Sequence, residues 1–155
     1  MSGVRAEDAY ATLIGTWKCT SDAGSVIAQT NTLTKDGEWL SMRVDWTNPR
    51  QAGSGYFQNF FFRSREGSWN TSSYGSNGWA WAGRSPGWKN GHLVFDGIES
   101  TNVGAIITRE TLTLRGDGKI EYLWEMRSNG FYETTSNAIC SRNSAPLKTA
   151  KSPEA

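Results

Sequence analysis

Five of the Asn-Gly and Asp-Gly pairs in this chain of 155 residues separate short runs of alternating or β-branched residues. The pairs are Asp36-Gly37, Asn77-Gly78, Asn90-Gly91, Asp117-Gly118 and Asn129-Gly130. Each pair supplies two residues that tolerate positive φ angles, as the two-residue turn of a β-hairpin requires. A chain that turns back this often favours short antiparallel strands over long helices. The sequence therefore predicts a series of β-hairpins.

The segments between the turns alternate between apolar and polar residues. Leu40, Met42, Val44 and Trp46 share one face of such a segment, a pattern typical of a sheet with one buried and one solvated face. We predict about ten strands. They lie near residues 15–21, 25–35, 38–47, 55–64, 67–75, 78–84, 88–96, 104–115, 119–128 and 130–141.

Consecutive hairpins in sequence order form a meander. Strand twist curls a meander of this length, and closure removes its exposed edges. The predicted fold class is therefore all-β, a closed antiparallel meander β-barrel of about ten strands. We assign it to residues 1–142 and predict a disordered tail over 143–155, which lack an apolar period.

Three segments of the barrel domain do not read as strands or tight turns. Residues 5–14 have an apolar face and a following Gly15, which predicts a short N-terminal helix. The connections at 48–54 and 97–103 are longer than hairpin turns. We predict that both are loops at a barrel mouth.

Charge and hydropathy exclude several classes of function. The net charge is +1 with acids and bases interspersed, so we predict no nucleic-acid partner. No apolar run is long enough to span a bilayer, so we predict no membrane insertion. The first residues lack the apolar stretch of a secretory signal. We therefore expect a soluble, cytoplasmic protein, and its oligomeric state stays open.

The segment Leu13-Ile14-Gly15-Thr16-Trp17-Lys18 resembles the Gly-x-Trp opening of calycins, the superfamily of lipocalins and fatty-acid-binding proteins. The resemblance implies that a short N-terminal helix or coil closes one barrel end. It also implies that Trp17 packs over the bottom of the cavity, with an Arg from a late strand stacked on it. Arg127 and Arg142 are both candidates for that Arg, and Arg109 is a weaker one.

Nearly the whole chain is also similar to a bacterial family of lipocalin-like proteins of unknown function, whose members open with a Gly-Thr-Trp-x-Cys strand. Here that strand reads Gly15-Thr16-Trp17-Lys18-Cys19, and Trp39-Leu40 and Cys140 fit as well. The resemblance implies a barrel but no particular activity. Fatty-acid-binding proteins insert a helical lid after the first strand. Residues 20–25 leave no room for one, so we expect a more open mouth.

Cys19 and Cys140 lie in the first and last predicted strands, which are neighbours in a closed barrel with an even number of strands. They form either a disulfide that locks the seam and argues for an oxidising compartment, or two buried free thiols, the default for an intracellular chain. His92 is the single histidine and follows a turn. Apart from the alternative of haem ligation by His92, nothing suggests a metal, and we predict neither a metal site nor a cofactor.

Candidate ligand-binding residues are aromatic side chains that share strand faces, together with charged residues inside strands. They are Trp46, Phe60, Trp79, Trp81, Tyr122 and Trp124, with Arg109 and Glu125 as inward-facing charges. The alternatives are that the rings fill the barrel as plain core and that the charges lie on the solvated face. The alternation near residue 109 is compatible with either Arg109 or Glu110 facing inward.

These observations predict a protein that holds a small, partly apolar molecule inside its barrel. The alternative is a metal-free isomerase or cyclase that uses the cavity as its active site. A cavity carboxylate with a raised pKa would favour that alternative, although no catalytic residue is assigned. A third hypothesis, carbohydrate binding, requires Trp79, Trp81 or Trp88 to lie exposed on an outer face. Buried tryptophans would exclude it.

Overall fold

A computed structural model describes residues 10–143, most of which belong to β-strands. The strands are β1 (Gly15–Ser21), β2 (Val26–Leu33), β3 (Trp39–Asn48), β4 (Gly53–Arg63), β5 (Trp69–Gly75), β6 (Trp79–Ser85), β7 (Trp88–Lys89), β8 (His92–Thr101), β9 (Gly104–Leu114), β10 (Ile120–Ser128) and β11 (Phe131–Arg142). A three-residue 3-10 turn, Ser76–Gly78, joins β5 to β6. No helix among the described residues has the length and apolar character needed to cross a membrane.

Antiparallel pairing in sequence order turns these strands into one closed barrel. Each strand from β1 to β5 pairs with the next, and so does each strand from β8 to β10. Two further pairings, β1 with β11 and β6 with β8, close the circle. The two-residue strand β7 pairs with the start of β8. The barrel therefore has ten long strands, which confirms the predicted all-β closed meander.

All five pairs lie in hairpin turns, but only three have the positive φ angles that were predicted for both residues. In Asn77-Gly78, Asn90-Gly91 and Asn129-Gly130 both residues have positive φ, as a type I′ turn requires. In Asp36-Gly37 and Asp117-Gly118 only the glycine does. The strand boundaries consequently follow the prediction closely over most of the chain.

One stretch around Gly97 was predicted wrongly. The predicted strand 88–96 is interrupted by the turn at Asn90-Gly91, and the predicted loop 97–103 is mostly strand, since β8 runs to Thr101. Gly97 is required for packing and does not mark a loop. A Cβ on Gly97 would clash with the Ala82 carbonyl oxygen and lie 2.8 Å from the indole nitrogen of Trp81, so only glycine fits against both. The other predicted loop shrinks to residues 49–52.

The predicted N-terminal helix is not supported. Residues 5–9 lie outside the described residues, and Leu13 and Ile14 both donate to the carbonyl oxygen of Tyr10 in a single turn. This turn closes one end of the barrel, because Tyr10 and Leu13 are completely buried there. Beyond Asn143, the predicted tail also lies outside the described residues.

Trp17 and Arg142 clamp that turn to the barrel. The Arg142 guanidinium lies 4.4 Å from the centroid of the Trp17 ring and donates to the carbonyl oxygens of Ile14 and Thr12 at 2.6 and 3.0 Å. Trp17 donates its indole N–H to the carbonyl oxygen of Leu13 at 3.0 Å. Of the candidate arginines, Arg142 therefore makes the stack that the calycin resemblance implies.

Apolar side chains fill the barrel at this end, which we call the closed end. The turns 34–38, 64–68 and 115–119 lie there. Its fully buried members are Tyr10, Leu13, Leu40, Phe61, Trp69, Leu93, Phe95, Leu112 and Ile120. Their rings meet in edge-on or tilted pairs, such as Phe61 with Phe95 at 5.6 Å between centroids. This packing leaves the closed end without space for a ligand.

A disulfide joins the first and last strands of the barrel. Cys19 and Cys140 are directly opposed in the pairing of β1 with β11, with their Cα atoms 4.0 Å apart. Both residues are buried. Of the two alternatives left open by the sequence, the structure therefore has the disulfide at the seam.

Candidate functional site

The opposite end of the barrel, the open end, contains a cavity of about 620 Å³. The turns 22–25, 49–52, 76–78, 102–103 and 129–130 lie at this end. The tight turn after β1, closed by a hydrogen bond from the Ser21 amide to the Ser25 carbonyl oxygen, carries no helical lid. The volume is within the range of ligand pockets.

The cavity wall is mainly apolar and aromatic. Its apolar lining comprises Ile27, Met42, Val44, Trp46, Phe57, Trp79, Val103, Leu123, Trp124 and Ala138, and the Cys19–Cys140 disulfide also contributes. Several rings contact each other, including Phe57 with Trp79 at 5.7 Å and Trp79 with Trp124 at 6.2 Å between centroids. A wall of this kind removes apolar surface of a ligand from water.

Glycines in the neighbouring strands place two of the indoles. Gly55 is opposite Trp46 in the pairing of β3 with β4, and a Cβ on Gly55 would lie 2.6 Å from that indole. Trp46 therefore lies across the backbone of β4 near the mouth. Trp81 lies deeper, over Gly83 and Gly97, where a Cβ would come within 2.7 and 2.8 Å of its ring.

Trp81 forms a partition between the filled and the empty parts of the barrel. Its ring is 4.8 Å from Trp124, which lines the cavity, and 6.2 Å from Phe95, which belongs to the closed end. Its indole N–H donates to the buried Thr108 hydroxyl at 2.6 Å. This bond satisfies the one polar group of the ring, which fixes its orientation.

Polar side chains form a patch on the otherwise apolar cavity wall. Gln29 donates from Nε2 to the Tyr122 hydroxyl at 2.9 Å. Because Tyr122 accepts in this bond, its own O–H remains a donor. Thr71 donates to the Asn59 amide oxygen at 2.6 Å, and Asn59 lines the cavity together with Ser73. The patch therefore offers both donors and acceptors.

Glu110 is the most unusual member of the cavity wall. It is 8% exposed, and its Oε2 atom is completely buried without a hydrogen-bond partner. Burial raises the pKa of Glu110 to about 8, because the ionised carboxylate loses its hydration in apolar surroundings. Burial also raises the pKa of the Tyr122 phenol, with a further contribution from Glu110. Both groups are therefore protonated at neutral pH.

The structure brings four of the predicted ligand-binding residues to the cavity: Trp46, Trp79, Tyr122 and Trp124. Trp81 lies beneath it as the partition. Phe60 faces outward on β4, between the inward-facing Asn59 and Phe61.

The two charged candidates lie outside the barrel. Arg109 forms an ion pair with Asp96 at 3.2 Å and stacks on Tyr132, with 3.8 Å from its guanidinium carbon to the ring centroid. Glu125 is paired with Arg109 across β9 and β10, after a bulge that shifts the register of β10 against β11. Of the two inward-facing alternatives near residue 109, the structure selects Glu110.

The sequence pattern around Glu110 favours its inward orientation when the whole of β9 is considered. Leu112 and Leu114 alternate with threonines, and extending this alternation backwards places Glu110 inside. Ile107 obscured the pattern, because it is an apolar residue that faces solvent and is 47% exposed. The inward polar residues Gln29 and Asn59 carried no comparable local signal.

His92 does not belong to this site. It lies exposed at the closed end, where its Nδ1 is 2.8 Å from the Thr113 hydroxyl. Within residues 10–143, no three His, Cys, Asp or Glu side chains come together as a metal site would require.

Comparison with known proteins identifies the fold. No protein-family model matches the chain, and no curated protein matches it. The structure is similar to the crystal structure of Rv2717c from M. tuberculosis, with a TM-score of 0.67 and 12% sequence identity. The match covers 90% of this chain and 98% of that one. At this identity the similarity shows the fold alone, a lipocalin-like β-barrel.

Proposed function

We propose that this protein binds a small, partly apolar molecule in the cavity at the open end. The observation that carries the proposal is the contrast within a single barrel, which is packed with side chains below Trp81 and contains a cavity above it. Protein interiors are normally packed to the density of organic crystals, and an unfilled volume costs stability. A cavity of about 620 Å³ with an aromatic wall and a polar patch is therefore best explained by a ligand.

Native mass spectrometry of the freshly purified protein tests for a bound molecule, and a neutral apolar fluorophore, N-phenyl-1-naphthylamine, tests the cavity itself. We expect one probe molecule to bind per chain. Phe57 lines the cavity, whereas Phe60 faces outward on the same strand. Phe57→Ala is expected to weaken probe binding by about tenfold through the lost apolar contact, and Phe60→Ala to leave it unchanged. Equal effects of both changes would contradict the proposal.

A metal-free isomerase or cyclase is the second candidate, and Glu110 is the observation that favours it. A carboxyl that stays protonated at neutral pH in an apolar cavity is suited to general acid–base chemistry. A co-purified ligand incubated with the protein in D₂O should then gain deuterium at carbon, and Glu110→Gln should abolish this exchange without abolishing binding. Absence of exchange in the unaltered protein would leave binding as the function.

The third hypothesis, carbohydrate binding to an outer aromatic platform, loses its basis. Trp81 is 2% exposed, Trp79 lines the cavity, and Trp88 is half-buried against Trp69. None of the three lies exposed on an outer face.

We also propose an oxidising compartment and a family for this protein. The Cys19–Cys140 disulfide favours an oxidising compartment over the cytoplasm expected from the sequence. The barrel, the Trp17–Arg142 stack and the paired cysteines support membership in the bacterial lipocalin-like family that the Gly-Thr-Trp-x-Cys opening resembles.

A further inference from the structure

We propose that the cavity selects molecules with an apolar, ring-sized body and a cationic nitrogen that binds at Glu110, and that it discriminates against carboxylates. This inference rests on the proposed binding function and names the chemical class of the ligand. Its basis is that the cavity wall can balance a positive charge on a ligand but not a negative one.

The cavity wall contains an acid and no base. Among the described residues that line it, Glu110 has the only carboxyl group, and none is Lys, Arg or His. A ligand carboxylate would therefore enter a low-dielectric site without a cationic partner, which is costly. A second acid, Glu99, accepts the indole N–H of Trp79 beside the cavity and adds to the bias against anions.

Glu110 lines the cavity and has a carboxyl oxygen without a hydrogen-bond partner. Its Oε2 has no partner, although buried polar atoms are nearly always hydrogen-bonded. An ammonium or amidinium group donates several hydrogen bonds, and its bonds to a carboxylate are among the stronger ones in proteins. A cationic nitrogen therefore satisfies the orphaned oxygen, which a hydrocarbon cannot do.

The rings near Glu110 also suit a cation. Trp124 is directly opposite Glu110 across β9 and β10, and Trp79 and Trp81 contact Trp124. Indole faces attract cations through their quadrupole, and this attraction is stronger where water is excluded. The carboxyl and the indoles together therefore form an environment for a nitrogen cation attached to an apolar group.

Proton release is the signature that separates this proposal from simple apolar binding. The side chains that neighbour Glu110 across the sheet are Phe95 on β8 and Trp124 and Tyr122 on β10, of which only Tyr122 titrates. Arg109 and Asp96 face outward and pair with each other. Since burial raises the pKa of Glu110 to about 8, the free protein holds a proton there at pH 7. Binding a cation should expel it.

Three probes with a common skeleton test the inference by isothermal titration calorimetry: 2-(1-naphthyl)ethylamine, 2-(1-naphthyl)ethanol and 1-naphthylacetate. At pH 8 we expect the amine to bind at least about tenfold more tightly than the alcohol, and the carboxylate to bind most weakly. At pH 7, titrations in buffers of different ionisation enthalpy should show release of close to one proton for the amine and none for the alcohol.

Glu110→Gln keeps the shape and removes the charge, so it should reduce the preference for the amine to less than about threefold and abolish proton release. Glu66→Gln, in the exposed turn 64–68 at the closed end, is the matched control and should change neither. Thermal melts verify that both variants fold. If the amine shows no preference, or if Glu110→Gln retains it, the inference is overturned while the binding function stands. If neither the three probes nor N-phenyl-1-naphthylamine binds, the proposed function itself fails.

Discussion

The two ends of this barrel are built from the same strands, but their inward side chains are packed differently. At the closed end, inward side chains such as Phe61, Trp69 and Phe95 are fully buried and contact one another. At the open end, inward side chains such as Trp46 and Trp79 keep one face towards an empty space. Aromatic content is similar at both ends, so it does not distinguish core from cavity.

What distinguishes the ends is the residues between the rings. The closed end adds Leu13, Leu40 and Leu93, which fill the gaps between aromatic groups. The open end has glycines and small polar residues at equivalent inward positions, such as Gly55, Ser73 and Gly75. We infer that the closed end supplies most of the stability and that the open end is free to serve binding.

Removing one tryptophan from each end gives the largest expected effect. Trp69→Ala should lower the free energy of unfolding by about 3–5 kcal/mol, because it leaves a cavity among Tyr10, Phe61 and Trp88. Trp79→Ala should cost about 1 kcal/mol, since it only enlarges an existing space, but it should abolish N-phenyl-1-naphthylamine binding. Urea unfolding and fluorescence titration measure both effects. Equal losses of stability would break the comparison.

The pH dependence of stability sharpens the comparison of the two barrel ends at the boundary between them. The pKa of Glu110 is about 8 in the folded protein against an ordinary 4.5, so the folded state holds this proton more strongly than the unfolded state. The resulting stabilisation is complete below about pH 4.5 and is lost as the pH rises through about 8. It amounts to at most about 5 kcal/mol.

Glu110→Gln should therefore be more stable than the unaltered protein at pH 8 and nearly equal to it at pH 4.5, as measured by urea unfolding at each pH. Glu66→Gln serves again as the control. A parallel pH dependence in the unaltered protein and in Glu110→Gln would mean that Glu110 is hydrated within the cavity.

The disulfide tests whether the open end depends on the seam. Replacing both Cys19 and Cys140 by Ala should lower the free energy of unfolding by about 2–4 kcal/mol, because the bridge restricts a long loop of the unfolded chain. Since both cysteines line the cavity, we expect hydrogen exchange to accelerate more in β1 and β11 than in β5 and β6. Uniform acceleration would show that the seam supports the whole barrel equally.

Local sequence signals predicted the fold well and the site incompletely. Hairpin pairs and alternation are encoded by neighbouring residues, so ten strands and the closed barrel could be predicted. The cavity depends on which inward positions carry small residues across several strands, and no single segment shows this. Arg109 and Glu110 illustrate the limit, because a one-residue difference in facing separates an outer ion pair from a buried acid.

Gly97 illustrates the same limit from the opposite side. Within its own segment the glycine reads as a break in the strand. In the barrel, Gly97 leaves room for the Trp81 ring. Trp81 donates a hydrogen bond to Thr108, which lies two strands away. Long-range packing of this kind overrides the local preference of a residue.

The pairing of β1 with β11 has a consequence for how the cavity comes into existence during synthesis. Cys19 and Cys140 are 121 residues apart, so the pairing of β1 with β11 joins residues that are far apart in the sequence. We expect this pairing to form last. On a ribosome that adds about 5–20 residues per second, β1 waits on the order of ten seconds for its partner. We expect the nascent chain to expose an unpaired edge of β1 and a reduced thiol throughout that interval. Nascent chains are thus the form most exposed to aggregation, and no ligand can enter a cavity until β11 has arrived.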